Sequence, residues 1–165
     1  MKHMKRALLV KIVVMLLIAT CLVAVLHLHN QEEIACMVIE QEALRLEVTF
    51  EDLDRLSFSG ELIDGKGDVT SHSYTGILLR DLLEDKGIDL SQLSGITVTS
   101  ADNYSVQFTM EEILADNKVY IAVTADGKAI EGIDPDTEGL QVIVFGDPNS
   151  KRCVRYAQRI TLQLI

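Results

Sequence analysis

SGITVTSADNYSVQFTMEEILAD, residues 94–116, contains the pattern on which the fold turns. Ile96, Val98 and Thr99 are β-branched and suit a pleated surface. Asp102-Asn103 supplies a turn, and Tyr104, Val106 and Phe108 then alternate as the returning strand of a hairpin. Thr109 and Glu112 stand three residues apart at the head of MEEILAD, the spacing of a capping box, which predicts a short helix directly after the second strand. Strands joined by tight turns, with short capped helices between them, predict an α+β domain.

The same kinds of signal extend in both directions. ALRLEVTF alternates Leu44, Leu46, Val48 and Phe50, and Thr49 is placed to cap a short acidic helix over FEDLDRL. LSFSGELI reads as a strand with Leu56, Phe58 and Leu62 inward, closed by the polar turn DGKGD at 64–68. GILLRDLLEDKG predicts a helix over 76–87, with Ile77, Leu78, Leu82 and Leu83 at helical spacing, Thr75 as cap and Gly87 as stop. VYIAVTA, Asp126-Gly127 and KAI form a second hairpin, and EGIDPDTEG (131–139) is an acidic loop. LQVIVFG is continuously apolar, as a buried central strand would be, and AQRITLQLI ends the chain as a strand. The expectation is eight or nine strands and two or three short helices.

Charge divides the 165 residues unevenly. The net charge is −10, yet residues 1–30 hold Lys2, Lys5, Arg6 and Lys11 and no acid, so the remainder carries −14. An acidic body of that size excludes nucleic acid as a partner. Residues 7–28 are apolar apart from Lys11, Thr20 and His27; as a helix they would rise about 33 Å, enough to cross a hydrocarbon core. With the basic flank inside, residues 1–29 are expected to be a cytoplasmic flank and transmembrane signal-anchor. Residues 30–43 are then a connector that includes a strand at IACMVI, and 44–165 form a domain outside the cell membrane.

Motifs of catalysis are missing: no G-x-S-x-G elbow, no glycine-rich phosphate loop and no HExxH occur. The pairs Glu51/Asp52, Glu84/Asp85 and Glu111/Glu112 read as solvated helix charges. Asp134, Asp136 and Glu138 lack the glycine and distant glutamate of a calcium loop. No Cys/His spacing suggests zinc, and His72, alone in the body, reads as a surface or hydrogen-bonded residue. Cys36 and Cys153 either pair in an oxidising compartment or stand as separate small apolar side chains, the second being favoured. The remaining concentration of charge is VFGDPNSKRCVRYAQRI, 144–160, with Lys151, Arg152, Arg155 and Arg159 inside nine residues after an apolar strand. Arginine forks suit phosphate or sulfate, but the same cations could simply neutralise neighbouring acids.

Four segments, YTGILLRDLLEDKGI (74–88), VTSADNYSVQF (98–108), VYIAVTADGKAI (119–130) and LQVIVFGDPNSKRCVRYAQRITL (140–162), together resemble the molybdopterin-binding domain of the sulfite oxidase family. Tyr74, Gly76 and Leu79 match its aromatic-x-Gly-x-Pro-Leu pattern, with Leu78 in place of proline. Asp102, Asn103 and Tyr104 match its hairpin turn, and Arg152, Val154, Arg155, Tyr156 and Ile160 its last basic run. The resemblance implies a compact strand-rich α+β fold with short helices, and basic residues near a pterin and its phosphate. Carried over by position, Arg152 and Arg155 are the anion-contacting candidates, with Tyr156, Lys151 and Tyr104 beside them. The family's molybdenum-binding cysteine should precede the aromatic-x-Gly segment, where this chain reads SFSGELIDGKGDVTSHS. The expectation is therefore a membrane-anchored, molybdopterin-binding-like module without molybdenum catalysis, taking a small anionic ligand or an acidic partner. The alternatives are a molybdopterin-dependent oxidoreductase working with a partner subunit, and a purely structural domain.

Overall fold

The computed structural model describes Met15 and residues 35–165, apart from Asp52 and Pro135. The chain divides into two units, Met1–Glu33 and Ile34–Ile165, and the second carries the fold set out below. Among the described residues no helix is long and apolar enough to cross a membrane. The expected span over 7–28 lies outside them except for Met15, which is helical.

Among the described residues ten strands build two five-stranded sheets. The first sheet contains β1 (Cys36–Gln41), β2 (Leu44–Thr49), β5 (Leu93–Ser100), β6 (Ser105–Thr109) and β10 (Ala157–Leu164), in the order β2-β1-β10-β5-β6. The second contains β3 (Leu56–Ile63), β4 (Val69–Leu78), β7 (Val119–Ala125), β8 (Lys128–Ala129) and β9 (Gln141–Val144), in the order β3-β4-β7-β8, with β9 also on β7. All pairings are antiparallel except β1 with β10, which is parallel. Helices α1 (Leu79–Asp85) and α2 (Met110–Leu114) and two 3₁₀ turns, Leu90–Gln92 and Ser150–Arg152, complete the fold. The architecture is thus a mostly-β α+β fold.

Strand alternation explains the core. Ile96 and Val98 of β5, Ile160 and Leu162 of β10, and Met37 and Ile39 of β1 leave one face of the first sheet. They meet Ile121 of β7, Val142 of β9 and Leu82 and Leu83 of α1. Full burial of one such side chain contributes about 1.5–3 kcal/mol, so this layer is the main source of stability. A second cluster covers the opposite face of the second sheet: Tyr74, Leu78, Tyr120, Ala122 and Ile143, with Phe58 and Phe145 packed on it. Phe58 stacks on Tyr120 with ring centroids 4.0 Å apart.

Several expectations need correction. The helix over 76–87 begins only at Leu79, and its N-cap is Leu78 rather than Thr75. Gly76, Ile77 and Leu78 instead pair with Ala122, Ile121 and Tyr120 as the end of β4, because ladder bonds to β7 outweigh local helix propensity. No helix forms over the described residues of 50–55; the Arg55 guanidinium there donates to the Phe50 carbonyl. Cys36–Gln41 is more than part of a connector, since Met37 and Ile39 are fully buried and β1 lies next to β10. Gln141–Val144 is buried but not central, because its strand ladder is with β7 alone, and on the other side the Val142 amide donates to the Val154 carbonyl at 2.8 Å. Strand β4 has no counterpart among the expected strands over 69–75, where serine and threonine replace the apolar alternation.

Candidate functional site

The basic loop distributes its cations to different destinations. Arg152 turns inward. Its guanidinium donates to Glu112 Oε1 and Oε2 at 2.6 and 3.0 Å, to Asp147 Oδ2 at 3.3 Å and to the Gln107 carbonyl at 3.0 Å. It also lies 4.9 Å from the Phe108 ring centroid. Both carboxylates are well covered, with Glu112 18% and Asp147 11% exposed. Glu112 in turn closes the capping box: it accepts from the Thr109 amide at 3.1 Å, and its own amide donates to Thr109 Oγ1 at 3.3 Å. Arg152 therefore fastens the basic loop to the head of α2. Arg159 pairs with Glu40 at 3.4 Å. Lys151 is exposed, and its carbonyl accepts from the Tyr104 hydroxyl at 2.7 Å. Tyr156 is half-buried at φ 54, and its carbonyl accepts from the Ala101 amide.

Hydrogen bonding from Arg152 holds the Glu112 carboxyl down at about 2, against the opposing effect of burial. A depressed carboxylate stabilises the fold fully above its ordinary value of 4.5 and loses that contribution as pH falls toward about 2. The interval corresponds to about 3 kcal/mol. Thermal melts should show the wild type losing its advantage over Glu112→Gln across that window. A difference between the two proteins that stays constant from pH 5 to about 2 would contradict the pairing.

Arg155 goes elsewhere. It lines a cleft of about 360 Å³ together with Asp64, His72, Tyr74, Asp126 and Cys153. Among the described residues Arg155 makes no ion pair. Residues 72 and 74 share one face of β4 by strand alternation. The β7–β8 hairpin turn then delivers Asp126. Asp126 at φ 50 and Gly127 at φ 75 form the left-handed pair that a two-residue hairpin requires, and glycine enters it without steric cost. The Asp126 amide donates to the Ser73 carbonyl at 2.7 Å, while its carboxylate accepts from the Ser73 amide at 3.0 Å and contacts His72 Nδ1 at 2.7 Å. The His72 bond, followed by the Ser73 amide, holds the Asp126 carboxyl below its ordinary range.

Tyr74 forms the buried side of the cleft. Burial first, then the nearness of Cys153 and Asp126, pushes its phenol up to about 12, so it stays a neutral hydrogen-bonding group. Cys153 is half-buried and free, and burial pushes its thiol up as well. Its sulfur accepts from the Val144 amide at 3.5 Å. Cys36 is free and exposed, so the two cysteines stand apart. Alkylation at neutral pH should modify Cys36 first and Cys153 only slowly, because the thiolate is the reactive form. Peptide mass spectrometry measures both, and equal rates in the folded protein would contradict this environment.

Of the residues proposed from sequence, the structure brings Arg155 alone to this cleft, joins Tyr104 to Lys151, and commits Arg152 to Glu112 and Asp147. His72, Asp126 and Cys153 are not among the sequence candidates. Fifty-four positions separate His72 from Asp126, and no motif spacing ties them.

No family model matches the chain, and no curated protein matches it. Among solved structures it is similar to the sulfane dehydrogenase SoxCD from Paracoccus pantotrophus, with a TM-score of 0.59 and 19% identity over 78% of this chain. The chain spans 38% of that chain's length. What the two share is the fold.

Proposed function

We propose that residues 34–165 form a ligand-binding module on a molybdoenzyme-like fold, held outside the cell by an anchor at 7–28, and that Arg155 receives an anionic group of a small ligand. The observation that carries this reading is the 360 Å³ cleft, in which the Arg155 guanidinium has no carboxylate partner among the described residues. Its neighbours Tyr74, Gln141 and Ser150 add neutral hydrogen-bonding groups, and polar lining of that kind orients a small molecule.

The residues present do not fit a molybdenum centre. Before the Tyr74-x-Gly76 segment, where the resembling family has its cysteine, β4 carries Ser71, His72 and Ser73. Cys153, the thiol of this cleft, is raised by burial, the reverse of what a metal-binding thiolate needs. Arg152, a candidate for contact with the pterin, is committed to two covered carboxylates. These points favour a binding module over an oxidoreductase working with a partner subunit.

Thermal shift with a panel of phosphate, sulfate and small carboxylates, zwitterionic ones included, tests the reading. At least one should raise the Tm of the wild type and leave Arg155→Ala unmoved, since a ligand bound only to the native state stabilises it by mass action. Arg152→Ala should have a lower Tm yet keep the response. A panel without effect, or a response that survives Arg155→Ala, would remove the proposal. The outward location has its own check: a membrane-impermeant maleimide should label the exposed Cys36 on intact cells. Labelling only after lysis would place the domain inside.

A further inference from the structure

The charges that line the cleft narrow the ligand class, an inference that rests on reading the cleft as a ligand site. Beside the single guanidinium of Arg155 stand two carboxylates, Asp64 and Asp126. Both are held ionised by local bonds. Asp64 Oδ1 accepts from the Lys66 and Asp68 amides of its own turn at 2.7 and 2.9 Å, with the Asp68 amide the larger cause of its lowered pKa. Asp126 is held by His72 and Ser73. A ligand carrying only negative charge would gain Arg155 and meet two fixed anions in the same small space. A ligand with only positive charge would meet Arg155.

The two carboxylates are not equivalent. Asp126 spends Oδ2 on His72 and Oδ1 on the Ser73 amide and hydroxyl. Asp64 places both amide bonds on Oδ1, which leaves Oδ2 as an acceptor without a partner among the described residues. The cleft therefore offers one guanidinium without a carboxylate partner and one carboxylate oxygen without any partner among the described residues, and Tyr74 and Ser150 add hydroxyls to its lining. At about 360 Å³ it lies at the small end of small-molecule sites. We infer that the ligand is a small zwitterion of amino-acid type, its carboxylate on Arg155 and its ammonium on Asp64.

Calorimetric titration of the purified full-length chain tests this with the twenty amino acids and diglycine as probes. Propionate, ethylamine and inorganic phosphate serve as the single-charge controls. The expected result is saturable binding of at least one zwitterion, with propionate and ethylamine each binding at least tenfold more weakly. Arg155→Ala should abolish that binding. Asp64→Asn retains an oxygen for the Lys66 and Asp68 amides, and it should lose the zwitterion while gaining affinity for propionate. Phosphate or propionate binding as tightly as every zwitterion, in an Arg155-dependent way, would overturn the zwitterion and leave the anion reading standing. If no zwitterion and no anion binds, both fall. The wild-type comparison decides the matter even where a variant fails to fold.

Discussion

Gly76→Ala is expected to lose about 3–5 kcal/mol, a large fraction of the roughly 5–15 kcal/mol by which a domain is ordinarily stable. A Cβ at this position would lie 2.0 Å from the Ile121 carbonyl oxygen and 2.8 Å from Ala122 Cα. Both obstacles are backbone, so no side-chain rotation relieves the contact. The register of β4 against β7 shifts between Thr75 and Gly76, and the absent side chain is what lets the two strands approach there. A displaced β7 would also disturb Val119, Ile121 and Val123, which belong to the main core together with Ile77 of β4 and Val142 and Val144 of β9. Gly65 provides the control: nothing stands within 4 Å of the point a Cβ would occupy there, and Gly65→Ala should leave the urea midpoint almost unchanged. Equal midpoints for the two variants would contradict this reading of β4. The glycine of the aromatic-x-Gly pattern noted in the sequence thus stands where a side chain would collide with the backbone of β7.

Arg152→Ala is expected to cost about 2–4 kcal/mol, between the values for exposed and fully buried ion pairs. The loss arises less from one missing attraction than from what remains. Glu112 and Asp147, mostly covered, would be left without their shared guanidinium, and the Gln107 carbonyl without a donor. Lys118, 3.7 Å from Glu112, compensates only in part. Arg152→Lys should recover less than half of the loss, because an ammonium cannot span both Glu112 oxygens, the Gln107 carbonyl and the Phe108 ring. Combining Arg152→Ala with Glu112→Gln should be less harmful than the sum of the single losses, as expected for groups in direct contact. Strict additivity in chemical denaturation would contradict the clamp.

Much of the fold was legible because it depends on local pattern. The β5–β6 hairpin announced itself through Ile96, Val98, Val106 and Phe108, and all four are buried. The Thr109–Glu112 capping box needed only a spacing of three. Strand β4 was hidden because its first half, Val69 to Ser73, is mostly exposed and polar after Val69, and the helical spacing of Ile77 and Leu78 masked its end. The candidate site was hardly legible. Arg152 and Arg155 are alike in sequence, and their fates diverge because Glu112, forty positions away, folds back onto the first and not the second. His72 gained a role only when the β7–β8 turn set Asp126 against it. Side chains brought together by sheet topology leave no spacing for a motif to record.

The most direct test is the molybdenum content of the full-length chain purified from a host that makes the cofactor. Molybdenum far below one atom per chain, together with a ligand response that disappears in Arg155→Ala, is the result predicted for a binding module whose cleft presents a protonated Cys153. Stoichiometric molybdenum would contradict it.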